Sequence, residues 1–450
     1  MATAARRCAY RVVKRVFEDG AYADRAFRAE ADRFELTGRD RAFAMRLAYG
    51  TVQRKATLDY LIERLTERPI KRLDPRIASA LRLGLYQLVY LGGVPEHAAV
   101  DESVELAKRR GRPGHQLVNA VLRRATKQAR ALVEALPDTT SADAALRHSH
   151  PRWLAELWWN ELGPEEARAL MARDNEPAES AVRANTIRLT AGELVGVLAA
   201  EGVRARTDPL VVEAVVLEQP YDVHRSRLFD RGAFMPQSRA SMLVAHAVDP
   251  PPGARVLDLC AAPGAKTTHL AALMGDEGQI VAVDREPSRA RAIGANCRRL
   301  GVSCVEALAA DARGQSFGRD FDRVLVDPPC SDLGTLQSRP DARWRKRPSQ
   351  LAELAATQRE ILEAAAAALR PGGRLVYSTC TVHAVENERQ IEGFLADHRE
   401  FSVLDLSHAY PEGATAAADQ GSFLQTLPSH HGTDGFFIAA LRRDELSEDG

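Results

Sequence analysis

Two cysteines close apolar runs in this chain: Cys330 ends Val326-Asp327-Pro328-Pro329-Cys330, and Cys380 ends Tyr377-Ser378-Thr379-Cys380. A thiolate is the strongest nucleophile among ordinary side chains and adds readily to an electron-poor ring carbon, so a cysteine at a strand tip is a candidate reactive group. A free cysteine taken alone is more often a small buried hydrophobe. The surroundings change that balance. Upstream, Leu257-Asp258-Leu259-Cys260-Ala261-Ala262-Pro263-Gly264-Ala265-Lys266 runs from an apolar strand through a turn of small residues into a helix. Small residues there let backbone amides approach a ligand at the helix amino terminus. The turn lacks G-x-G-x-x-G, which argues against a dinucleotide or pyrophosphate. The combination predicts thiol chemistry beside a nucleoside cofactor.

The elements that position these residues follow a regular pattern. Strands are predicted at 255–260, 280–284, 303–310, 322–327, 374–379, 402–406 and 436–442, and helices at 264–274, 287–300, 349–369 and 384–397. Such alternation implies an α/β doubly wound sheet, with its ligand at the carboxyl ends of the strands. Four successive strands end near an acid: Asp258, Asp284, Asp311 and Asp327. All four are expected along one edge of the sheet. Asp284, 26 residues after Asp258, suits the paired hydroxyls of a ribose, and Asp311 suits the exocyclic amine of an adenine. A single Asp at a strand end is usually a turn residue; four in register argue for a nucleoside site.

The preceding sequence has a different texture. From about 4 to 130, apolar residues recur three and four apart, as in Leu58, Leu61, Ile62 and Leu65, which predicts an all-α bundle. Breaks fall at Thr37-Gly38-Arg39-Asp40, Gly92-Gly93-Val94-Pro95 and Gly111-Arg112-Pro113-Gly114. A helix pair is predicted over 151–172, anchored by Trp153, Trp158 and Trp159, and short alternating segments between 179 and 245 predict a small α+β unit. The expected domains are 1–135 (helical), 150–245 (small α+β, linking) and 246–443 (doubly wound α/β), with a mobile loop at 412–421.

A chain of 450 residues, 45% apolar and 27% charged, is long enough for several buried cores. No apolar run reaches membrane-spanning length and the start has no signal-like core, so a cytoplasmic protein without membrane contact is expected. The six cysteines include no C-x-x-C pair and no zinc-type histidine spacing, which predicts free thiols and no metal. Cys8, Cys297 and Cys304 are assigned to packing, and His430 and His431 to a loop. The net charge of zero conceals an asymmetry: residues 1–130 carry 27 Lys+Arg against 15 Asp+Glu, an excess of 12 that the remainder cancels. Clustered basic residues bind polyanions through counterion release; solvated helix faces account for the same charge equally well.

The motifs carry a resemblance. Cys260-Ala-Ala-Pro-Gly-Ala-Lys266, Asp327-Pro-Pro-Cys330 and Ser378-Thr-Cys380 resemble those of the S-adenosylmethionine-dependent RNA 5-methylcytosine methyltransferases. The likeness extends through Gln237-Ser-Arg-Ala-Ser241, Arg339-Pro-Asp341 with Trp344, Glu386-Asn-Glu388 and Gly432-Thr-Asp-Gly-Phe436. Asp40-Arg41, Leu85-Tyr86-Gln87-Leu88 and Ala120-Val-Leu-Arg-Arg124 are similar to NusB-type RNA-binding domains. Together they resemble the RsmB (Sun/Fmu) family, which modifies a cytosine of bacterial small-subunit (16S) ribosomal RNA. The resemblance implies a NusB-like bundle, a linking α+β subdomain and a Rossmann-like class I methyltransferase domain, acting as a monomer on 16S ribosomal RNA. It implies that Cys380 is the nucleophile, that Cys330 assists product release, that Asp327 holds the base edge and that Lys266 orients the site and favours a thiolate. By the same resemblance, Cys260, Ala261, Ala262, Pro263, Gly264, Ala265, Lys266, Asp284, Asp311 and Asp327 contact S-adenosylmethionine. Ala265 departs from the family's second glycine, and alanine there is strained if the backbone requires a positive φ.

Three other readings compete. A DNA cytosine-5 methyltransferase would use Cys330 as nucleophile and has no need of Cys380. An amino-methyltransferase of the Asp-Pro-Pro-aromatic type would have a ring where Cys330 stands. A non-catalytic RNA-binding or assembly factor has no need of two thiols and four acids.

Overall fold

The computed structural model describes residues 2–108, 113–406 and 423–445; the expected loop at 412–421 and part of the break at 111–114 lie outside them. The chain divides into two units. The first runs through Pro177 and includes Leu336–Lys346; the second holds Ala178–Thr335 and the described residues from Arg347 onward.

The first unit is built from α1 (Ala4–Glu18), α2 (Ala23–Arg33), α3 (Gly38–Gln53), α4 (Lys55–Thr66), α5 (Pro75–Tyr90), α6 (Glu96–Ala107), α7 (His115–Glu134), α8 (Ser141–Arg147) and α9 (Arg152–Arg173). The apolar face set by the three-and-four spacing is buried: Leu58, Leu61, Ile62, Leu81 and Leu85 join one core with Val12, Val13, Leu47 and Leu122. The residues of the expected helix pair form α9, interrupted where Gly163 takes φ 81° and ψ 165° ahead of Pro164. Trp158 is buried, tilted against His150 at 5.7 Å. Many arginines of this basic third bind the bundle itself. Arg82 pairs with Asp59 at 2.6 Å, Arg6 with Glu102 at 2.7 Å, and Arg124 and Arg130 donate to the carbonyls of Leu65 and Leu88.

The second unit holds two sheets. The smaller comprises β1 (Ala181–Ala184), β2 (Ala205–Thr207), β3 (Ala214–Leu217) and β4 (Phe234–Pro236), antiparallel in the order β2-β3-β1-β4, with α10 (Ala191–Ala200) and α11 (Arg227–Asp230). After α12 (Arg239–Val248) come β5 (Arg255–Leu259), α13 (Ala265–Leu273), β6 (Gln279–Asp284), α14 (Pro287–Leu300), β7 (Val305–Ala309) and β8 (Phe321–Val326). The chain then contributes α15 (Ala342–Arg345) to the first unit, where buried Arg343 donates to Asp174 O at 2.9 Å and Trp344 Nε1 to Val52 O at 2.8 Å. It returns through α16 (Pro348–Ala368), β9 (Leu369–Thr379), α17 (Glu388–Asp397), β10 (Phe401–Leu404), β11 (Leu424–Gln425), α18 (Pro428–His431) and β12 (Phe437–Arg443). His430 and His431 thus lie on a short helical turn.

The larger sheet has the order β10-β12-β9-β8-β5-β6-β7, with β11 paired to β12. Strands β9, β8, β5, β6 and β7 are parallel; β12 joins antiparallel to β9, β10 and β11. Near-continuous apolar runs such as Val324-Leu325-Val326 are buried because helices cover both faces, as a parallel sheet requires. The protein is therefore a helical bundle joined to an α+β subdomain and a Rossmann-like domain. Among the described residues, no helix is long and apolar enough to cross a membrane.

Candidate active site

The turn after β5 is shaped residue by residue. Cys260 takes φ 64° and Gly264 φ 93°, while Ala261 N donates to Val283 O at 2.9 Å and keeps the loop against β6. A side chain on Gly264 would be strained by that φ and would also meet Ile293 Cγ2 at 3.2 Å. Ala265 is the first residue of α13, and the positive φ falls on Gly264, so the Ala265 departure carries no strain. Arg183 of β1 braces the helix, donating to Ala265 O at 2.5 Å and Thr268 Oγ1 at 2.9 Å.

The four acids have different settings. Asp284 closes β6 and its carboxylate accepts from Ala262 N at 3.3 Å and Glu286 N at 3.1 Å, with Arg289 Nε 3.3 Å away. Ala310 N donates to Asp284 O at 3.1 Å, which ties the end of β7 to the end of β6. Asp311 follows and pairs with Arg313 at 2.8 Å; the guanidinium's hydrogen bonds hold its carboxyl down at about 2. Asp327, just past β8, accepts from Lys266 Nζ at 2.7 Å and Ser378 Oγ at 3.1 Å. Asp258 departs from the expected row along one edge. It lies within β5, in register with Ala282 and Leu325, because the strand continues through Leu259 before turning. Asp258 is fully buried and accepts from Thr267 Oγ1 at 2.6 Å, and burial pushes its carboxyl up to about 7.

The two motif cysteines meet. Cys330 Sγ and Cys380 Sγ are 3.1 Å apart, and Cys380 Sγ donates to Asp332 Oδ1 at 3.3 Å. A hydrogen-bonded frame holds the two loops together. Glu386 Oε2 accepts from Ser331 N and Gln358 Nε2, each at 2.9 Å, and Gln358 Nε2 also donates to Pro329 O at 3.0 Å. Ser331 Oγ and Thr381 Oγ1 are 2.6 Å apart, and Asn387 bonds both Thr379 Oγ1, at 2.6 Å, and Thr381 O, at 3.1 Å. Gly334 N donates to Cys380 O at 3.0 Å, and Gly435 N to Gly334 O at 2.7 Å. A Cβ on Gly334 would fall 2.0 Å from Gly435 O, so that crossing admits only glycine. Phe436 then places its ring 5.1 Å from Lys266 Nζ.

Motif spacing located Cys330, Cys380, Asp327 and Lys266, and the structure gathers them within this hydrogen-bonded assembly. It did not assign roles to Asp332, Gln358, Glu386 or Asn387. Asp332 and Gln358 carry no recognisable spacing; the Glu386-Asn-Glu388 tripeptide was the available signal for the other two. The remaining cysteines have other settings. Burial pushes Cys260 and Cys8 up to about 12 and Cys297 up to about 11, with carboxylates adding to the effect.

Comparison with known proteins agrees with this architecture. The family model "16S rRNA methyltransferase RsmB/F" matches residues 245–442, "NusB family" matches 3–127, and "Methyltr_RsmF/B-like, ferredoxin-like domain" matches 150–224. A Bacillus subtilis (strain 168) protein described as "Probable ribosomal RNA small subunit methyltransferase B" is 35% identical, over 98% of this chain and 99% of its own. The solved structure of PH0851 is 27% identical with a TM-score of 0.83, covering 98% of both chains. That of NSun6 from Pyrococcus horikoshii with SFG is 25% identical with a TM-score of 0.60, over 66% of this chain and 99% of that one.

Proposed function

The chain belongs to the RsmB/F family of 16S rRNA methyltransferases, and from that premise we propose that it methylates carbon-5 of a cytosine in 16S ribosomal RNA, using S-adenosylmethionine and a covalent Cys380 adduct. The observation that carries this reading is the 3.1 Å approach of Cys380 to Cys330, framed with Asp327 and Lys266. Two thiols side by side suit a reaction in which one sulfur must add to the substrate and later leave.

Carbon-5 of cytosine is too weak a nucleophile to take a methyl group directly. Addition of the Cys380 thiolate to carbon-6 makes carbon-5 carbanion-like and divides one difficult step into easier ones. In the resting protein the Cys380 S–H is held by Asp332. Lys266 and Ser378 fix the two oxygens of Asp327, whose remaining lone pairs can accept from the exocyclic amine of the base, and from its ring nitrogen when that nitrogen carries a proton. After methyl transfer the carbon-5 proton must be removed and the Cys380 thiolate must leave. Cys330, next to that sulfur, is the group we assign to this release.

The residues present fit the cofactor. Ala261, Ala262, Pro263, Gly264 and Ala265 put no bulky side chain between the backbone and a ligand, and Asp284 and Asp311 offer, at successive strand tips, carboxylates of the kind that accept from a nucleoside's hydroxyls and amine. When bound, S-adenosylmethionine supplies the methyl sulfonium. Cys260, Ala261–Lys266, Asp284, Asp311 and Asp327 are its proposed contacts. The RNA partner is supported by the NusB family match and by the positive charge of the first 130 residues.

The test is a pair of substitutions assayed on 16S ribosomal RNA with labelled S-adenosylmethionine, the modified base being mapped by bisulfite sequencing. Cys380→Ser is expected to abolish methylation, and Cys330→Ser to accumulate a protein–RNA adduct that survives denaturing electrophoresis. The reverse pattern would exchange the two roles. Full activity in both variants would end the covalent reading.

A further inference from the structure

Away from the crevice, three side chains that no part of the proposed reaction uses converge within the second unit: Glu213, immediately before β3, His246 of α12 and His269 of α13. Glu213 Oε1 lies 2.7 Å from His246 Nε2 and 2.5 Å from His269 Nε2, and the three donor atoms all lie within 4.8 Å of one another. The Glu213 and His269 side chains are 3% and 2% exposed; that of His246 is 30% exposed and leaves a route from solvent. The imidazoles meet edge to face, with centroids 5.4 Å apart.

One carboxylate oxygen serves both imidazoles in this cluster. His246 Nε2 bonds Glu213 Oε1, and His269 Nε2 meets the same oxygen while its Nδ1 is buried without a hydrogen bond among the described residues. A buried polar nitrogen left in that state carries a penalty of roughly 1–3 kcal/mol. A cation placed between the carboxylate and the two imidazoles would replace these crowded contacts with bonds from all three side chains to one centre.

We propose that Glu213, His246 and His269 form a binding site for a borderline divalent transition-metal ion of the zinc type, held by two imidazoles and one carboxylate. Zinc bonds to such ligands are about 2.0–2.2 Å long, which sets neighbouring donor atoms about 3.4 Å apart in a tetrahedron, so the two Glu213–histidine separations each need to open by less than about 1 Å. Nitrogen and carboxylate donors favour zinc, cobalt or nickel over magnesium or calcium, which take all-oxygen shells. With three protein ligands and His246 half-open, the fourth position belongs to water. The ion would tie the small sheet to α12 and α13, and His269 lies one turn after Lys266 on α13. The second sulfur-rich group, Cys330, Asp332 and Cys380, is part of the proposed reaction centre and competes for soft ions.

The experiment therefore uses the full-length Cys330→Ser/Cys380→Ser protein, stripped with a chelator and titrated with Co²⁺. One equivalent should bind, giving visible d–d bands without thiolate charge transfer, and Zn²⁺ should displace it and raise Tm. Because loss of an outer-shell partner already weakens metal sites 10- to 100-fold, His246→Ala should weaken binding by about 100-fold or more and remove the Tm rise. His246 is partly exposed, so this variant should fold; His269→Gln provides a second one. Failure of Co²⁺ to bind at stoichiometric concentrations, or equal binding by both histidine variants, overturns the proposal. Neither result bears on methylation through Cys380.

Discussion

Cys260 and Cys380 each stand just beyond a parallel strand of the same sheet, with only β8 between β5 and β9, yet their surroundings are opposed. Cys260 is partly buried with Asp327, Asp284 and Asp258 as electrostatic neighbours, and burial followed by those carboxylates pushes its thiol up to about 12. Cys380 faces a second thiol and donates to Asp332, within a frame that Glu386 and Asn387 organise. A strand tip presents a cysteine; its neighbours determine whether the sulfur is placed for chemistry. The contrast is largest in turnover. Cys380→Ser should lower methylation by a factor of about 10⁴ or more, since loss of a covalent nucleophile leaves only binding and positioning. Residual activity within tenfold of the parent would erase the distinction between the two tips.

The next effect is in thiol reactivity. Alkylation proceeds through the thiolate, and a shift from 9.0 to about 12 lowers the thiolate fraction near pH 8 by about 10³. Cys260 should therefore react with iodoacetamide about 10³-fold more slowly in the native protein than in urea, as peptide mass spectrometry can follow. Comparable rates in the two states would show that the crowd of carboxylates does not suppress this sulfur.

Much of this geometry was legible in the sequence because it rests on local rules. Small residues at 261–265, an acid at the end of β6 and cysteines closing apolar runs specify a turn and three strand tips without knowledge of the remaining chain. What escaped notice depends on long-range contacts. The meeting of Ser331 with Thr381, or of Glu386 with Ser331 and Gln358, joins residues 28 to 55 apart. Glu213, His246 and His269 are separated by 33 and 23 residues and match no metal-ligand spacing, so a count of C-x-x-C pairs and zinc-type histidines predicted no metal. Residues 336–346 lie between the Cys330 and Cys380 motifs in sequence but pack with the helical unit, because Arg343 and Trp344 find carbonyl acceptors there. The positive charge of residues 1–130 was ambiguous for a related reason: net charge does not say which arginines bind the bundle's own carbonyls and acids.

Asp258 sharpens the comparison on the Cys260 side. Its carboxyl is pushed from 3.8 up to about 7 in the folded protein, so the folded state holds its proton more tightly than the unfolded state. A raised carboxyl pKa destabilises as pH increases: the penalty is absent below about pH 4, grows through the interval and is complete above about pH 7. At 1.36 kcal/mol per unit it reaches about 4 kcal/mol. Asp258→Asn retains an oxygen to accept from Thr267 and has no charge to bury. Urea unfolding should then show the variant gaining stability relative to the parent as pH rises from 4 to 8. A difference independent of pH would mean that Asp258 is charged in the folded protein without penalty.

On the Cys380 side the smallest effect is expected from Glu386, and it separates placement from reactivity. Its Oε2 accepts from both Ser331 N and Gln358 Nε2 in a fully buried setting, so Glu386→Ala strands two donors and should cost about 2–4 kcal/mol, read as a lower urea midpoint. Because Ser331 follows Cys330 and Glu386 also shares its loop with Asn387, that loss loosens one sulfur against the other without touching either. Adduct formation in a Cys330→Ser/Glu386→Ala protein should fall below that of Cys330→Ser alone, while alkylation of native Cys260 stays slow because its burial and its acids are unchanged. Equal loss of protection at Cys260 would show instead that the substitution unfolds the sheet as a whole, and that the two strand tips are not independently organised.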